Sequence, residues 1–174
     1  MAATDPVQVR PASDADCEQL VGIYNFYIET STVTFEEVGL TADELGLRLK
    51  RSQGLGLPWL VAEQDQAILG YAYAAPWRER SAYRHSVEVS AYVRPDKVGN
   101  GIGMALYGEL LAQLEALPLR TAVAVIPLPN PASIALYQKL GFAKVAHLKA
   151  IGFKLGRWID VGYWQRNLAY NSKV

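Results

Sequence analysis

Hydrophobic positions recur along this chain with two periods, and the period changes at short polar or glycine-rich breaks. Val7 to Arg10 reads as a short strand. Ser13 followed by Asp16 has capping-box spacing. The helix it opens places Leu20, Ile23, Tyr24 and Tyr27 on one face and should end near Ile28. The segment ETSTVTFEE, 29–37, is polar and β-branched and reads as a loop. Thr41 with Glu44 repeats the capping box and predicts a helix to about Ser52, broken by GLGLP. Residues 59–77 read as a hairpin, two apolar runs around the polar Glu63–Gln66 turn, with Pro76 stopping the second strand.

Ser86 to Val93 alternates with period two. Val87, Val89, Ala91 and Val93 take one face; Ser86, Glu88, Ser90 and Tyr92 take the other. A glycine-rich turn follows, then a helix with Tyr107, Leu110, Leu111 and Leu114 on one stripe. Arg120 to Ile126 is β-branched and predicts a central strand. Asn130–Pro131 marks a helix start, with Asn as the cap and Pro at the first helical position. That helix closes at Gly141. Two last strands flank the turn in GFKLGRW. The predicted order is β-α-α-β-β-β-α-β-α-β-β, a single α/β domain over 1–174. The strand–helix–strand unit from 86 to 126 should be parallel with a right-handed crossover.

Composition narrows the classes. Lys plus Arg and Asp plus Glu each number 17, a formal net charge of zero. That balance gives no reason to expect nucleic acid or an anionic membrane as the main partner. The single cysteine, Cys17, excludes an internal disulfide and fits a reducing compartment. The N-terminal stretch has no apolar segment of the kind a signal peptide needs, and the longest apolar runs are far shorter than a membrane span. A cytoplasmic location is expected. His85 and His147 lack the arrangement typical of zinc and read as structural, so no metal is expected. Trp158, Tyr163 and Trp164 read as core or interface.

The chemistry centres on VRPDKVGNGIGMAL, 93–106. A strand, a glycine-rich turn and a helix N-terminus make an anion site, because the first helical N–H groups are unpaired and the helix dipole favours negative charge. It is not a P-loop, since no Gly-Lys pair occurs in the chain. It is not a dinucleotide fingerprint either, since Gly101 and Gly103 are followed by Leu106. A plain tight turn stays open on this stretch alone.

The run from strand 86–93 through GNGIGMAL resembles the acetyl-CoA motif of the GNAT acetyltransferase superfamily, Gln/Arg-x-x-Gly-x-Gly/Ala. Here it reads Val98-x-x-Gly101-x-Gly103, so Val98 departs where a polar side chain is usual. NPASIALYQKLGF, 130–142, looks like the later CoA-side motif. YNFYIETSTVTFE, PWLVAE, APWRERSAY, VAVIPLPN and GRWIDVGYWQRNL together resemble the phosphinothricin and methionine sulfoximine N-acetyltransferases over nearly the whole chain. The resemblance implies a central mixed, mostly antiparallel sheet with helices on both faces and a parallel strand pair splayed around acetyl-CoA. It implies cofactor contacts from Ala91, Tyr92 and Val93, from Gly99, Asn100, Gly101, Ile102, Gly103 and Met104, and from Asn130 and Ser133. It also implies a homodimer.

Acetyl transfer to an amine needs a base. An α-amino group has a pKa of about 8 and a carboxylate about 4.3, so the carboxylate must be buried to serve well. Glu88 is the candidate; a solvated Glu, or a partner for Arg78 or Arg84, is the plain alternative. The family places its catalytic Glu at this position. Tyr137 is the candidate acid for the leaving thiolate. A phenol near pKa ~10 facing a thiol near ~8.5 needs no large tuning. The plain alternative is an aromatic core residue. PWRERSAYRH brings Arg78, Arg80 and Arg84 together, and arginine clamps carboxylate and phosphinate in forked geometry. The resemblance implies that Arg78, Arg80, Ser81, Ala82 and Tyr83 hold a small amino-acid-like acceptor, with Phe35 as the other wall. A peptide N-acetyltransferase of the same fold and a non-catalytic acyl-CoA sensor remain the alternatives.

Overall fold

The computed structural model describes residues 6–169. Residues 1–5 and 170–174, which the single-domain reading and part of the N-terminal reading include, lie outside the described residues. The elements are β1 (Gln8–Pro11), α1 (Cys17–Thr30), α2 (Ala42–Gly54), β2 (Trp59–Gln64), β3 (Ala67–Pro76), β4 (Ser86–Val93), α3 (Ile102–Glu115), β5 (Thr121–Pro127), α4 (Pro131–Lys139), β6 (Ala143–Lys154) and β7 (Arg157–Asn167). This is the order that the hydrophobic pattern predicts. Among the described residues, no helix is long and apolar enough to cross a membrane.

Local chemistry sets the boundaries. The Ser13 N–H donates to Asp16 at 2.7 Å, and a single 3-10 turn over Asp14–Asp16 precedes α1. α1 runs two residues past Ile28. There Thr30 Oγ1 donates to the Phe26 carbonyl at 2.6 Å, so the β-branched residue closes the last turn through its hydroxyl. Thr41 caps α2: its Oγ1 accepts from Glu44 N at 3.2 Å while Glu44 accepts from Thr41 N at 2.8 Å. Asp65 and Gln66 join β2 to β3, both at positive φ (50° and 65°), as a tight twisted hairpin requires.

The strands form one sheet in the order β1-β2-β3-β4-β5-β7-β6. All neighbours are antiparallel except β4 and β5, which are parallel with α3 between them in sequence. Two cores cover the sheet. On one face Leu106, Leu110 and Leu114 of α3 pack with Leu60, Ala72, Val87 and Val89. On the other, Leu20, Tyr24 and Ile28 of α1 and Leu45 and Leu49 of α2 pack with Trp59, Val61 and Tyr71.

The pairing of β4 with β5 is short. It runs from Ser86↔Thr121 to Glu88↔Val123 and then stops. Beyond that point each strand stays paired on its outer side, β4 with β3 to Val93↔Gly70 and β5 with β7 to Pro127↔Val161. The inner edges therefore part, leaving main-chain groups with no partner strand between two fixed strands. The second face of β4 is not a solvated polar face either. Tyr92 packs edge-on against Tyr24 at 4.8 Å and lies against Tyr71 at 5.5 Å, beneath α1.

Candidate active site

The parting of β4 and β5 opens a cavity of about 580 Å³. Of the residues expected to bind the cofactor, Ala91, Tyr92, Val93, Gly99, Gly101, Ile102, Gly103, Met104, Asn130 and Ser133 line it. Asn100 is exposed and does not. The N–H of Arg94 bonds to Leu69 of β3, so by the two-residue alternation Val89, Ala91 and Val93 turn their main-chain groups toward the gap. Tyr137 donates to the Val89 carbonyl at 3.4 Å, and Tyr27 donates to the Val93 carbonyl at 2.6 Å. An extended amide chain can pair with the open edge at Ala91 as an added strand would.

The glycine turn meets the other requirement. Gly99 and Gly101 sit at φ +86° and +78°, and Gly101 caps α3 with no side-chain hydrogen bond. The first N–H groups of α3 are thus available to an anion. At Gly103 a Cβ would stand 3.3 Å from Leu136 Cδ2, so the missing side chain lets α3 and α4 approach. Asn130 does two things: its Oδ1 accepts from Ser133 N at 3.1 Å, capping α4, and it lines the cavity. Gly141, at φ +81°, ends α4. A cradle of free backbone donors beside an open strand edge fits a ligand that joins a phosphate group to an amide chain.

Glu88 sits where β4 and β5 separate, its register partners being Ala75 and Val123. It is half-buried and outside the cavity wall. Burial raises its pKa above the ordinary carboxylate value, and the charge of Arg78 pulls it partly back. No hydrogen bond or close ion pair holds the carboxylate among the described residues. The reading as a solvated surface Glu therefore fails. Tyr137 lines the cavity, and its hydroxyl is hydrogen-bonded to that of Tyr107. Burial raises its pKa well above that of a free phenol; the bond with Tyr107 offsets this in part, and the Glu88 charge adds to it. This corrects the expectation of an untuned acid: desolvation makes Tyr137 a weaker acid, neutral throughout the physiological range.

The residues expected to bind the acceptor are not gathered into the cavity. Arg78 is nearest to the chemistry, since its charge reaches Glu88; its guanidinium stacks on Trp77 at 4.0 Å. Arg80 is exposed, and Ser81, Ala82 and Tyr83 form an exposed 3-10 turn. Phe35 is 40% exposed, and its ring rests on Gly152 of β6.

Sequence reasoning missed other wall residues. Tyr27, Lys97, Tyr107, Val125 and Lys139 all line the cavity. Tyr27 and Tyr107 follow the apolar stripes of their helices, and periodicity does not reveal where a phenol hydroxyl points. The lysines had a signal, since Lys97 falls within the stretch 93–106 and Lys139 within 130–142. Among the described residues, no His, Cys, Asp and Glu cluster is placed to hold a metal. His85 instead bonds to the Pro118 carbonyl at 2.6 Å.

A parallel strand pair that parts beside a glycine-capped helix is the arrangement that the resemblance to the GNAT acetyltransferases implies. Residues 9–162 match the acetyltransferase (GNAT) domain. The chain is 44% identical to a phosphinothricin N-acetyltransferase of Streptomyces viridochromogenes, over 93% of this chain and 88% of that protein. It is 33% identical to an L-methionine sulfoximine/L-methionine sulfone acetyltransferase of Salmonella typhimurium, over 92% and 94%. The crystal structure of a phosphinothricin acetyltransferase from Sinorhizobium meliloti in complex with acetyl-CoA superposes with a TM-score of 0.92 at 40% identity, covering 97% of this chain and 91% of that one. The chain belongs to the GNAT acetyltransferase family. It is an N-acetyltransferase, and acetyl-CoA is its acyl donor.

Proposed function

We propose that this enzyme acetylates the α-amino group of a small L-amino acid analogue by direct transfer, with Glu88 as the base. Phosphinothricin, methionine sulfoximine and methionine sulfone are the acceptors it fits. The observation that carries the reading is Glu88, a half-buried carboxylate with no hydrogen bond, where β4 and β5 part. The names of the relatives support the acceptor class.

Bound acetyl-CoA supplies an activated acetyl thioester; the chain supplies the rest. Glu88 takes a proton from the acceptor ammonium, and its raised pKa narrows a mismatch of roughly four units. The open edge of β4 at Ala91 and the glycine turn hold the donor in line. Tyr137, kept neutral by burial, donates a hydrogen bond where thiolate charge develops. Arg78 and Arg80 take the acceptor's carboxylate and its tetrahedral head group, between Ser81, Ala82 and Tyr83 on one side and Phe35 on the other.

A cytoplasmic homodimer completes the reading. Support comes from the β6–β7 hairpin, which exposes Val145, Ile151, Phe153 and Trp158, with the last two rings 5.1 Å apart. The single, buried Cys17 fits a reducing compartment.

The test is thiol release from acetyl-CoA by purified protein against the three analogues, natural amino acids and short peptides. Rapid release with one of the sulfur or phosphorus analogues is expected. Faster turnover of peptides would overturn the acceptor assignment, and acetyl-CoA binding without turnover of any amine would overturn catalysis.

A further inference from the structure

Among the described residues, only two charged side chains line the cavity, and both are lysines. Lys97 lies in the 3-10 turn Pro95–Lys97 after β4, and Lys139 ends α4. No carboxylate lines the cavity with them. Neither ammonium group makes an ion pair or hydrogen bond among the described residues. The neighbouring carboxylate, Asp96, is already held by both ends of the Arg94 guanidinium, at 3.0 and 2.9 Å. The chain as a whole is neutral, so this pair is not a sample of a generally basic surface.

Next to Lys97 in the chain is a position with no donor. Val98 lines the same cavity and is 58% exposed. It stands where the resembling motif carries Gln or Arg. Coenzyme A bears a pyrophosphate and a 3′-phosphomonoester. The N–H groups at Gly99 to Gly103 and the start of α3 serve one such group well, but they bring only partial charge to a ligand with several full ones.

We propose that Lys97 and Lys139 bind the phosphates of coenzyme A and jointly replace the basic side chain that Val98 lacks. Each comes from a different element, and both bring positive charge to the cavity that the glycine turn lines. The inference concerns the donor site and does not depend on which acceptor the enzyme uses.

The experiment is calorimetric binding of acetyl-CoA and of 3′-dephospho-CoA to the parent and to the Lys97→Ala/Lys139→Ala double variant, at low and moderate salt. The double variant should bind acetyl-CoA about tenfold more weakly and with a shallower salt dependence. Its thermal unfolding should stay close to the parent's, because neither ammonium makes a hydrogen bond or close ion pair among the described residues and the charge of Lys97 acts only on the exposed Asp96. A loss confined to the 3′-phosphorylated ligand assigns the lysines to the phosphomonoester. An equal loss for both ligands assigns them to the pyrophosphate. Either supports the proposal. Unchanged affinity and salt dependence would overturn it. Adding Val98→Arg to the double variant should recover most of the lost affinity. Failure to recover it would overturn the claim that position 98 and the lysines serve the same charge.

Discussion

Lys154 on β6 and Thr34 in the loop between α1 and α2 lie 120 residues apart, and the lysine Nζ donates to the threonine carbonyl at 2.8 Å. Lys154 is 2% exposed. The bond fixes the loop segment that carries Phe35. Two further ties hold it from the helices. The Tyr24 hydroxyl meets Thr34 Oγ1 and donates to Glu36, each at 2.9 Å, and Arg48 pairs with Glu36. Phe35 then lies across Gly152, two residues before Lys154, with ring atoms 2.5 Å from where a Cβ would stand.

Lys154→Met should therefore loosen the acceptor side and spare the donor side. Breaking a buried charged hydrogen bond costs about 2 kcal/mol, which should lower the melting temperature. The acceptor KM should rise by about tenfold as Phe35 loses its placement, with acetyl-CoA affinity unchanged. Gly152→Ala should produce the same split by displacing the ring directly. Steady-state kinetics with each substrate varied in turn, beside donor binding, check both.

The pH profile should report Glu88. Burial raises its pKa, so kcat/KM should fall on the acid side through a limb above the ordinary carboxylate value of about 4.3. Arg78 lowers that pKa, so Arg78→Ala should move the limb to higher pH. Stability follows the same sign. The folded state holds the Glu88 proton more tightly than the unfolded chain does. Its contribution is thus fully present below the unfolded pKa and is lost as pH rises through the folded one. Glu88→Gln should accordingly raise the melting temperature at pH 7 relative to the parent, with a smaller difference near pH 4.

The tyrosine pair separates chemistry from positioning. Tyr137→Phe should lower kcat by about 10²-fold with little change in acetyl-CoA affinity. Tyr107→Phe removes the hydroxyl that holds Tyr137 in place and keeps the reacting groups, so its loss should be nearer fivefold, about 1 kcal/mol. Equal losses in the two variants would contradict this division of roles.

The hydrophobic pattern carried the element order because each boundary has a local chemical cause. Thr41 and Asn130 cap their helices through their own side chains, and Gly141 ends α4. The extent of β4 likewise follows from alternation alone. What alternation could not show is that the face of Glu88, Ser90 and Tyr92 is covered by α1, since that depends on a helix some sixty residues earlier. The strand parting after Glu88↔Val123 was likewise invisible, because it is a failure of pairing between two good strands. The glycines located the turn that caps α3 and lines the cavity. Lys97 and Lys139, within the quoted stretches 93–106 and 130–142, were passed over because a charged residue at the end of a turn or helix usually faces water. The acceptor side was least legible. Phe35 comes from the connection between α1 and α2 and Arg78 and Tyr83 from that between β3 and β4, and all three are exposed.

The most direct test is turnover by Glu88→Gln, measured as thiol release at saturating acetyl-CoA with phosphinothricin or methionine sulfoximine as acceptor. A fall in kcat/KM of about 10²- to 10⁴-fold, with donor binding intact and partial recovery as pH rises and the free amine accumulates, is the predicted result. Parental turnover in that variant would contradict the assignment of Glu88 as the base.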